Sequence, residues 1–349
     1  MWLGPALDTD QQAIAEMIEA VVTSKSHALG SAEDDVRPKI DTLAELGLWT
    51  VGASESVGGG GADALTTAVV LVCLGRHWPS LGWASVQAQI AAEILGHDGR
   101  FGDLVAGVNA GSDAVAVVDS AAAHVHLEID GTDCSGVVDR VDAAGARPSL
   151  LVLHGPDRAI LVRDDSILSR PVRCTGFAGA ETRALQVTAS GSAVEITDID
   201  ADRFRARLLA GAAALASGIA TAAAAAASAY CDSREQFGGP LSDLATMRAS
   251  LTSQRLDAQA ATHAVVSLLE GDLGAATAVT RSACEAAVRV GAAALQALGG
   301  YGYLTEYLVE QHLRDAISLQ AVADVHGMTS RLREPANTPA RGGSTVRHV

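Results

Sequence analysis

Apolar residues in the first hundred positions recur at helical spacing. Such i, i+3, i+4 patterns predict amphipathic helices. The two clearest series are Ala13, Ile14, Met17, Ile18, Val21 and Val22, then Ile40, Leu43 and Leu46. Further helices are predicted over 62–74 and 83–95, and Gly47 and Gly96 are suitable residues to end helices. The pattern therefore predicts an N-terminal helical domain over residues 1–110.

From about Val115 the apolar period changes to two. Six short apolar or alternating segments follow, separated by Gly, Asp and Pro: 115–118, 124–129, 150–154, 159–162, 184–188 and 193–196. Closely spaced strands without a helical pattern between them are typical of an antiparallel barrel or sandwich and argue against a doubly wound α/β fold. We therefore predict an antiparallel β-barrel or sandwich over residues 111–200.

Helical periodicity returns at Asp202 and continues to Arg333. It falls into four segments, 202–231, 241–270, 273–298 and 306–324. Segments of roughly 20–30 residues have the length of four-helix-bundle elements. The last residues, 334–349, contain two prolines and no apolar pattern, which predicts a disordered tail. The predicted fold class is α+β, with a four-helix bundle over residues 201–333.

The charge balance narrows the range of partners. With 25 Lys and Arg against 41 Asp and Glu, the formal net charge is −16. Such a chain repels nucleic acid and anionic membrane surfaces, so neither is expected as a partner. The charge-free stretch 208–231 is long enough to span a membrane, but it consists mostly of alanine. Alanine favours a close-packed helix inside a bundle over a membrane span.

Cysteine usage and the N-terminus both indicate a cytoplasmic protein. The five cysteines are scattered and form no C-x-x-C pair, which fits reduced thiols. Asp8 and Asp10 appear early, and no basic head precedes an apolar run, so no secretory signal is predicted. His124 and His126 could share a strand face, but no third ligand accompanies them. No metal site is predicted.

A polar motif, R-E-Q-F-G-G-P, occupies residues 234–240 between two predicted long helices. Arg234, Gln236 and Phe237 supply a guanidinium, an amide and an aromatic ring within four residues. These groups can hold the pyrophosphate and adenine of a dinucleotide. The alternative is a polar turn in which Gly238 and Pro240 simply separate the two helices. The residues alone leave both interpretations open.

A second motif, Q-A-L-G-G-Y-G-Y, closes the third C-terminal helix at residues 296–303. A glycine pair after an apolar helix is most simply a C-cap. Glycines also allow a backbone to approach a phosphate or an adenosine closely. Gln296, Gly299 and Gly300 are therefore candidate ligand contacts, and the two tyrosines around Gly302 make a plain cap the weaker explanation.

The motifs together resemble those of the acyl-CoA dehydrogenase family. They are R-x-Q-F-G after an alanine-rich helix, Q-x-x-G-G-x-G-Y about 60 residues later, and the pair Arg314 and Asp315. The order of helical domain, β domain and four-helix bundle matches that family over nearly the whole chain. The resemblance implies FAD at a subunit interface, with the two motifs holding the ADP half of a neighbouring subunit's FAD. The residues so implied are Arg234, Gln236, Phe237, Gly238, Gln296, Gly299 and Gly300.

The sequence departs from the family where the flavin ring would bind. Members usually carry T-E-P-x-x-G-S-D and then W-x-T, whose backbone and hydroxyl groups hold the flavin ring and the pyrophosphate. The corresponding stretch here, 111–119, reads G-S-D-A-V-A-V-V-D, and no tryptophan follows Trp83. The β domain is also shortened. These departures argue against a complete flavin-ring site in this chain.

The catalytic base is a second departure. α,β-Dehydrogenation needs a carboxylate to take the α-proton while hydride leaves the β-carbon. The resemblance places this Glu nine residues after Arg314, which is Ala323, or ten residues before Gly218, which is Leu208. Neither side chain can accept a proton. Asp324 is the nearest carboxylate and therefore the candidate catalytic residue, with a solvated surface Asp as the alternative.

Three hypotheses follow. The chain is one subunit of a heteromeric α2β2 acyl-CoA dehydrogenase, a self-sufficient homomeric dehydrogenase that uses Asp324, or a flavin-free scaffold on the same fold. The first is favoured because the adenine-end motifs are present while the ring-end motifs and the base are missing. The Ala- and Gly-rich composition resembles that of high-GC actinobacterial proteins. In that group, heteromeric family members act on steroid side-chain CoA thioesters. The resemblance thus implies an acyl-CoA substrate, a homologous partner subunit and an electron-transfer flavoprotein as acceptor.

Overall fold

The structure, a computed structural model, describes residues 2–24, 35–268 and 272–333, so the predicted tail at 334–349 lies outside it. In the described residues, five α-helices precede the first strand. They are α1 (Thr9–Ser24), α2 (Arg37–Glu45), α3 (Ala64–His77), α4 (Pro79–Gly96) and α5 (Gly102–Asn109). The helical character of the N-terminal part is as predicted.

Two of these helices differ from the sequence prediction. α4 begins at Pro79 instead of residue 83, because proline is well suited to the first position of a helix. Every residue of α4 except Glu93 and Gly96 is buried, so it has no polar face that would reveal its full length. The short helix α5 was not predicted, since it comprises only about two turns.

The middle of the chain forms two open four-stranded sheets, β1-β4-β5-β8 and β2-β3-β7-β6. The strands are β1 (Val115–Asp119), β2 (Val125–Asp130), β3 (Asp133–Val141), β4 (Ser149–His154), β5 (Arg158–Val162), β6 (Ile167–Pro171), β7 (Arg183–Ala189) and β8 (Val194–Ile196). One buried apolar cluster joins residues of both sheets, among them Val138, Leu150 and Leu185. The predicted sandwich is thus confirmed.

The barrel alternative and one detail of that prediction are wrong. The sheets do not close into a barrel, and β1 pairs with β4 in parallel, with Val115 opposite Ser149. The β2–β3 hairpin lies between β1 and β4 in sequence but belongs to the other sheet. The chain crosses to that sheet and back, and β4 therefore runs beside β1 in the same direction. The remaining strand pairs are antiparallel.

Among the described residues after the β domain are the predicted four long helices and one further short helix. They are α6 (Ala201–Ser233), α7 (Ala245–Val266), α8 (Leu273–Leu298), α9 (Val309–Val322) and α10 (Val325–Arg333). α9 is shorter than predicted, because the chain breaks between α9 and α10 at Asp324, which has a left-handed φ of +45°. A two-residue-turn hairpin, β9 (Glu235–Gln236) with β10 (Gly239–Pro240), connects α6 to α7.

Helix α6 forms the centre of the bundle. In the described chain it is the one helix long and apolar enough to cross a membrane, and 78% of its most apolar window is buried inside the protein. Most of its alanines belong to the main core, together with residues of α3, α4 and α8. Burial against these helices accounts for the missing charges, as the alanine-rich composition predicted.

The crossing of α3 and α6 depends on two glycines. A Cβ on Gly75 of α3 would lie only 2.8 Å from Cα of Leu215, and a Cβ on Gly218 of α6 would overlap the carbonyl oxygen of Val72. Backbone atoms cannot move aside as a flexible side chain can. The two helices can therefore approach this closely only because both positions lack a Cβ.

We expect Gly218→Ala to lower the free energy of unfolding by about 1–3 kcal/mol, because the added methyl group overlaps the backbone of α3. Urea denaturation measures this change. The matched control is Gly102→Ala in α5, where the new Cβ meets no atom within 4 Å. That variant should be unchanged or more stable by about 0.4–1 kcal/mol. Equal stability of Gly218→Ala and wild type would contradict the close crossing.

Candidate functional site

The first motif forms a tight hairpin at one end of the bundle. α6 ends at Ser233, and Arg234 caps it with an extended backbone. Gln236 pairs with Gly239 in the hairpin, so Phe237 and Gly238 are its two turn residues, with φ of +57° and +91°. Positive φ at both central residues is the hallmark of a type I′ turn. The segment is therefore a regular β-hairpin with Phe237 and Gly238 at its tip.

Phe237 at this tip has an unfavourable environment within the chain. Its side chain is 87% exposed, and its φ is one that non-glycine residues adopt only at a cost. An aromatic ring in water contributes nothing to the core of its own subunit. A ligand or partner that covers the ring would account for its position.

The second motif lies at the end of α8. Gly299 has φ +57° and caps the helix, and residues 299–303 continue as a 3-10 turn. Gln296 and Gly300 are exposed, and a Cβ on Gly300 would meet no atom within 4 Å. Gly300 also lacks a positive φ, so neither packing nor backbone strain within the chain requires a glycine there. An open backbone of this kind is accessible to a ligand.

The two motifs meet through an aromatic cluster that sequence reasoning missed. The guanidinium carbon of Arg234 lies 5.5 Å from the ring centroid of Tyr301. Tyr230, Tyr301 and Tyr307 contact one another with ring centroids 5.6–6.2 Å apart. They line a cleft of about 390 Å³ together with Arg234. The signal was available, because all four tyrosines of the chain fall between 230 and 307.

These residues fit the ADP half of FAD. Among the described residues, no carboxylate pairs with Arg234, so its charge is free to neutralise a pyrophosphate. Phe237 offers an exposed ring for stacking, and Gly299 and Gly300 leave an open backbone. The contacts with FAD themselves stay a prediction.

The two positions where the resemblance places the catalytic Glu lie together, in a cavity that shares no residue with the cleft beside Arg234. Leu208 of α6 and Ala323 after α9 both line a cavity of about 30 Å³, which we call the ring-end cavity. Val117 and Val118 of the stretch that corresponds to the flavin-binding segment line it as well. The structure therefore brings both base positions and residues 117–118 together. Neither base position carries a proton acceptor, although Asp324 also lines the cavity.

A network of ion pairs borders the ring-end cavity. Asp119 lies 3.2 Å from Arg205 and 3.4 Å from Arg331. Arg331 in turn lies 3.2 Å from Asp324, and Arg205 lies 2.9 Å from Asp202. The side chains of Arg205, Asp119 and Asp324 are only 10–12% exposed. The network ties β1, α6 and α10 together across the cavity.

This environment changes the interpretation of Asp324. The residue is neither solvated, as the sequence suggested, nor a free base, because its carboxylate is largely buried and pairs with Arg331. The pairing is by charge, since Oδ2 accepts no well-aligned hydrogen bond. Arg331 follows Asp324 by only seven residues along α10, but it also binds Asp119, which is 212 positions away in sequence.

The flavin ring does not fit the ring-end cavity as it stands. A water molecule needs roughly 10–15 Å³ of such volume, so about 30 Å³ holds two waters and not a three-ring system. In the described residues there is also no group of three or more His, Cys, Asp or Glu side chains that could hold a metal ion. The adenine end of a site is thus present, whereas the ring-end cavity as it stands is too small for the flavin ring.

Two family models match the chain. "Acyl-CoA dehydrogenase, N-terminal domain" matches residues 8–100, and "Acyl-CoA dehydrogenase, C-terminal domain" matches residues 204–323, together more than half of the sequence. The chain belongs to the acyl-CoA dehydrogenase family. The resemblance inferred from the motifs is thereby confirmed. Family members are FAD-dependent oxidoreductases that act on a CH–CH bond, and FAD is the family's cofactor.

Individual acyl-CoA dehydrogenases are similar over part or all of the chain. The short-chain-specific enzyme of Megasphaera elsdenii is 41% identical over 94 residues, which are 25% of this chain and only 24% of that relative. A variant of the Tcur3481-Tcur3483 steroid acyl-CoA dehydrogenase matches with a TM-score of 0.76 and 21% identity, over 93% of this chain and 98% of the other. The ChsE4-ChsE5 complex from Mycobacterium tuberculosis matches with a TM-score of 0.74 and 19% identity, over 96% and 99%. At such identities the structural similarity shows the fold.

The Arg–Asp pair, Arg314 and Asp315, has a structural role in this chain. Asp315 of α9 accepts the backbone N–H of Phe177 at 2.7 Å, and Arg314 donates to the carbonyl oxygen of Thr175. Arg314 also binds Glu310 at 2.7 Å. The pair therefore fastens the β6–β7 loop, residues 172–182, onto the bundle. Burial raises the pKa of Asp315 to about 7.

This pKa predicts a pH dependence of stability. A carboxyl that keeps its proton to higher pH in the folded state stabilises that state fully below its ordinary pKa, near 4, and the contribution is lost as the pH rises towards about 7. Asp315→Asn cannot lose a proton, so its free energy of unfolding should fall less than that of wild type between pH 4 and 7. Denaturation across this range measures both slopes.

The matched control for that comparison is Asp157→Asn, which removes an exposed carboxylate after β4. It should retain the wild-type slope. If Asp315→Asn also retains the wild-type slope, the folded protein does not hold the proton on Asp315.

Proposed function

We propose that this chain is one subunit of a heteromeric, FAD-dependent acyl-CoA dehydrogenase. In this proposal it supplies the ADP-half contacts to FAD, while a homologous partner subunit holds the flavin ring and provides the catalytic Glu. The observation that carries the proposal is the contrast between the two ends of the site. At the adenine end, Phe237 is exposed and Arg234 stacks on Tyr301 with no carboxylate partner among the described residues, whereas both base positions hold aliphatic side chains beside a cavity of about 30 Å³.

The chain's own residues then bind and position the cofactor and do not move the substrate proton. Arg234 neutralises the pyrophosphate, Gln236 and Gln296 offer amides to the adenine, and Phe237 stacks on it. Bound FAD supplies the hydride-accepting chemistry of the reaction. Proton abstraction requires a carboxylate near the thioester, which Leu208 and Ala323 cannot provide.

The substrate and the partners follow from the same proposal. The substrate is a CoA thioester, and a steroid side chain is its proposed acyl group, because one similar structure is a steroid acyl-CoA dehydrogenase and another is a complex. An electron-transfer flavoprotein is the proposed acceptor, since the two electrons must leave after each turnover. The proposed location is the cytoplasm, where the five free thiols would stay reduced.

Co-expression with the partner tests the proposal. Purified alone, the chain should be unstable or poor in flavin, because half of a cofactor site binds weakly. Co-expressed with a homologous subunit that carries the Glu and the T-E-P motif, it should form a yellow heteromer. A stable yellow homotetramer with full FAD occupancy, obtained without a partner, would overturn the proposal.

The two other hypotheses make different predictions in that experiment. The self-sufficient enzyme would be yellow and active alone, and it would need Asp324 as a free base, although Arg331 lies 3.2 Å from that carboxylate. The flavin-free scaffold would stay colourless and inactive even beside its partner. Absorbance near 450 nm and turnover of the isolated and the co-expressed chain therefore separate all three.

A further inference from the structure

A second, larger cavity lies among the helices, away from the FAD contacts. Its volume is about 660 Å³, and it shares no lining residue with the ring-end cavity. We call it the helical cavity. It opens between α3, α4 and α6 and reaches the end of α7 and the start of α8. Small-molecule sites in proteins typically measure 300–1,000 Å³, so its volume suits a single ligand.

The floor of the helical cavity is apolar and buried. It is formed by Leu71, Val86, Ile90, Val265 and Leu268. The wall from α6 consists of small residues that cannot fill the space, namely Ala206, Ala210, Gly211 and Ala214. A hydrocarbon body that displaces water from this surface would gain roughly 25 cal/mol per Å² of buried apolar area.

The carboxylates at the rim are already engaged within the chain. Asp200 and Asp272 cap α6 and α8 by accepting backbone N–H groups at 2.9 and 2.8 Å. Asp202 binds Arg205, and Glu93 accepts the N–H of Ser54 at 2.7 Å. These four carboxylates outnumber the two lining arginines. A ligand with several negative charges, such as a nucleotide or CoA, is therefore disfavoured.

One cation at the rim is free. Arg203 is exposed, and in the part of the chain that the structure describes no hydrogen bond or ion pair engages its guanidinium. Arg207, one turn further along α6, donates to the carbonyl oxygen of Gly52 at 3.0 Å and lies 3.8 Å from Glu93. The rim therefore offers one unpaired positive charge above an apolar floor.

We propose that the helical cavity binds a long-chain monocarboxylate, with its hydrocarbon chain on the apolar floor and its carboxylate at Arg203. The apolar floor suits the hydrocarbon chain, the free guanidinium of Arg203 suits the carboxylate, and the volume is large enough for one such ligand. This proposal does not rest on the FAD role, because it uses none of the residues around Arg234. It adds a ligand site that is separate from the former base positions.

Titration of the full-length chain, in its assembled form, with the fluorescent fatty acid cis-parinaric acid tests this proposal. Saturable binding at one site per chain is expected. Ala210→Phe should weaken it by at least about tenfold, because the ring occupies the space of the ligand. Ala64→Phe, which closes the rim from α3, should have the same effect and covers the case in which the α6 variant does not fold. Ala225→Phe, an exposed position on α6 outside the cavity, is the matched control and should bind as wild type does.

The head-group contact has its own readout. Arg203→Gln should weaken binding by only about two- to fivefold, because exposed ion pairs are weak. Unchanged binding in both Ala210→Phe and Ala64→Phe would overturn the proposal. Equal affinity for 1-hexadecanol and palmitate would overturn the carboxylate contact, and tighter binding of palmitoyl-CoA at this site would overturn the argument from rim charge.

Discussion

Replacing Arg234 by alanine should weaken FAD binding to the assembled enzyme about ten- to hundredfold. The guanidinium lies over the Tyr301 ring at 5.5 Å, and its charge is available to the pyrophosphate. A lost charge-assisted hydrogen bond costs roughly 1.5–3 kcal/mol. Since each 1.4 kcal/mol corresponds to about a factor of ten, this range gives the expected loss of affinity. Titration of the deflavinated heteromer with FAD, followed by absorbance, measures it.

Two variants make this result specific. Arg234→Lys keeps the charge but loses the planar fork of donors. Its FAD affinity should therefore lie between that of the Arg234→Ala variant and that of the wild type. Arg163→Ala removes an exposed arginine of the β domain and should leave FAD binding unchanged. If residues 234–240 are only a polar turn, Arg234→Ala should change stability by no more than about 0.5 kcal/mol and leave the flavin content intact.

The order of helices, strands and helices could be predicted because it depends on local periodicity. A period of 3.6 or 2 shows which face of an element is buried, and burial is what holds these elements in place. The same pattern does not state which strands pair. The parallel contact of β1 with β4 joins Val115 to Ser149, and an intervening hairpin in the other sheet produces it. Such pairing depends on tertiary packing, so the sequence suggested a purely antiparallel arrangement.

In the candidate site, too, residues that are neighbours in sequence could be predicted and long-range contacts could not. Arg234, Gln236 and Phe237 are neighbours in sequence and could be identified together. The ion pair between Arg331 and Asp119 joins residues 212 positions apart, and no local pattern signals it. For this reason Asp324 looked like a solvated carboxylate. Only the position of Arg331, which reaches both Asp119 and Asp324, shows that Asp324 is largely buried and paired.

Turnover of the heteromer should fall about 10²–10⁴-fold when the general-base Glu of the partner subunit is changed to Gln. In the proposed assembly this carboxylate takes the α-proton, since Leu208 and Ala323 hold the corresponding positions in this chain. Asp324→Asn, by contrast, should change turnover by less than about threefold. The substitution keeps the shape of the side chain and removes its ability to accept a proton.

The comparison depends on assaying both variants with FAD bound, so that a loss of cofactor is not mistaken for a loss of chemistry. Asp324→Asn also removes one partner of Arg331, which keeps Asp119 at 3.4 Å, and flavin absorbance and melting temperature report whether the network still holds. Asp157→Asn controls for the loss of a carboxylate elsewhere on the surface. A fall of about a hundredfold in Asp324→Asn with FAD retained would show that this residue is the base. The chain would then be the catalyst and not the supporting subunit. Arg331 would also have to release Asp324 during turnover.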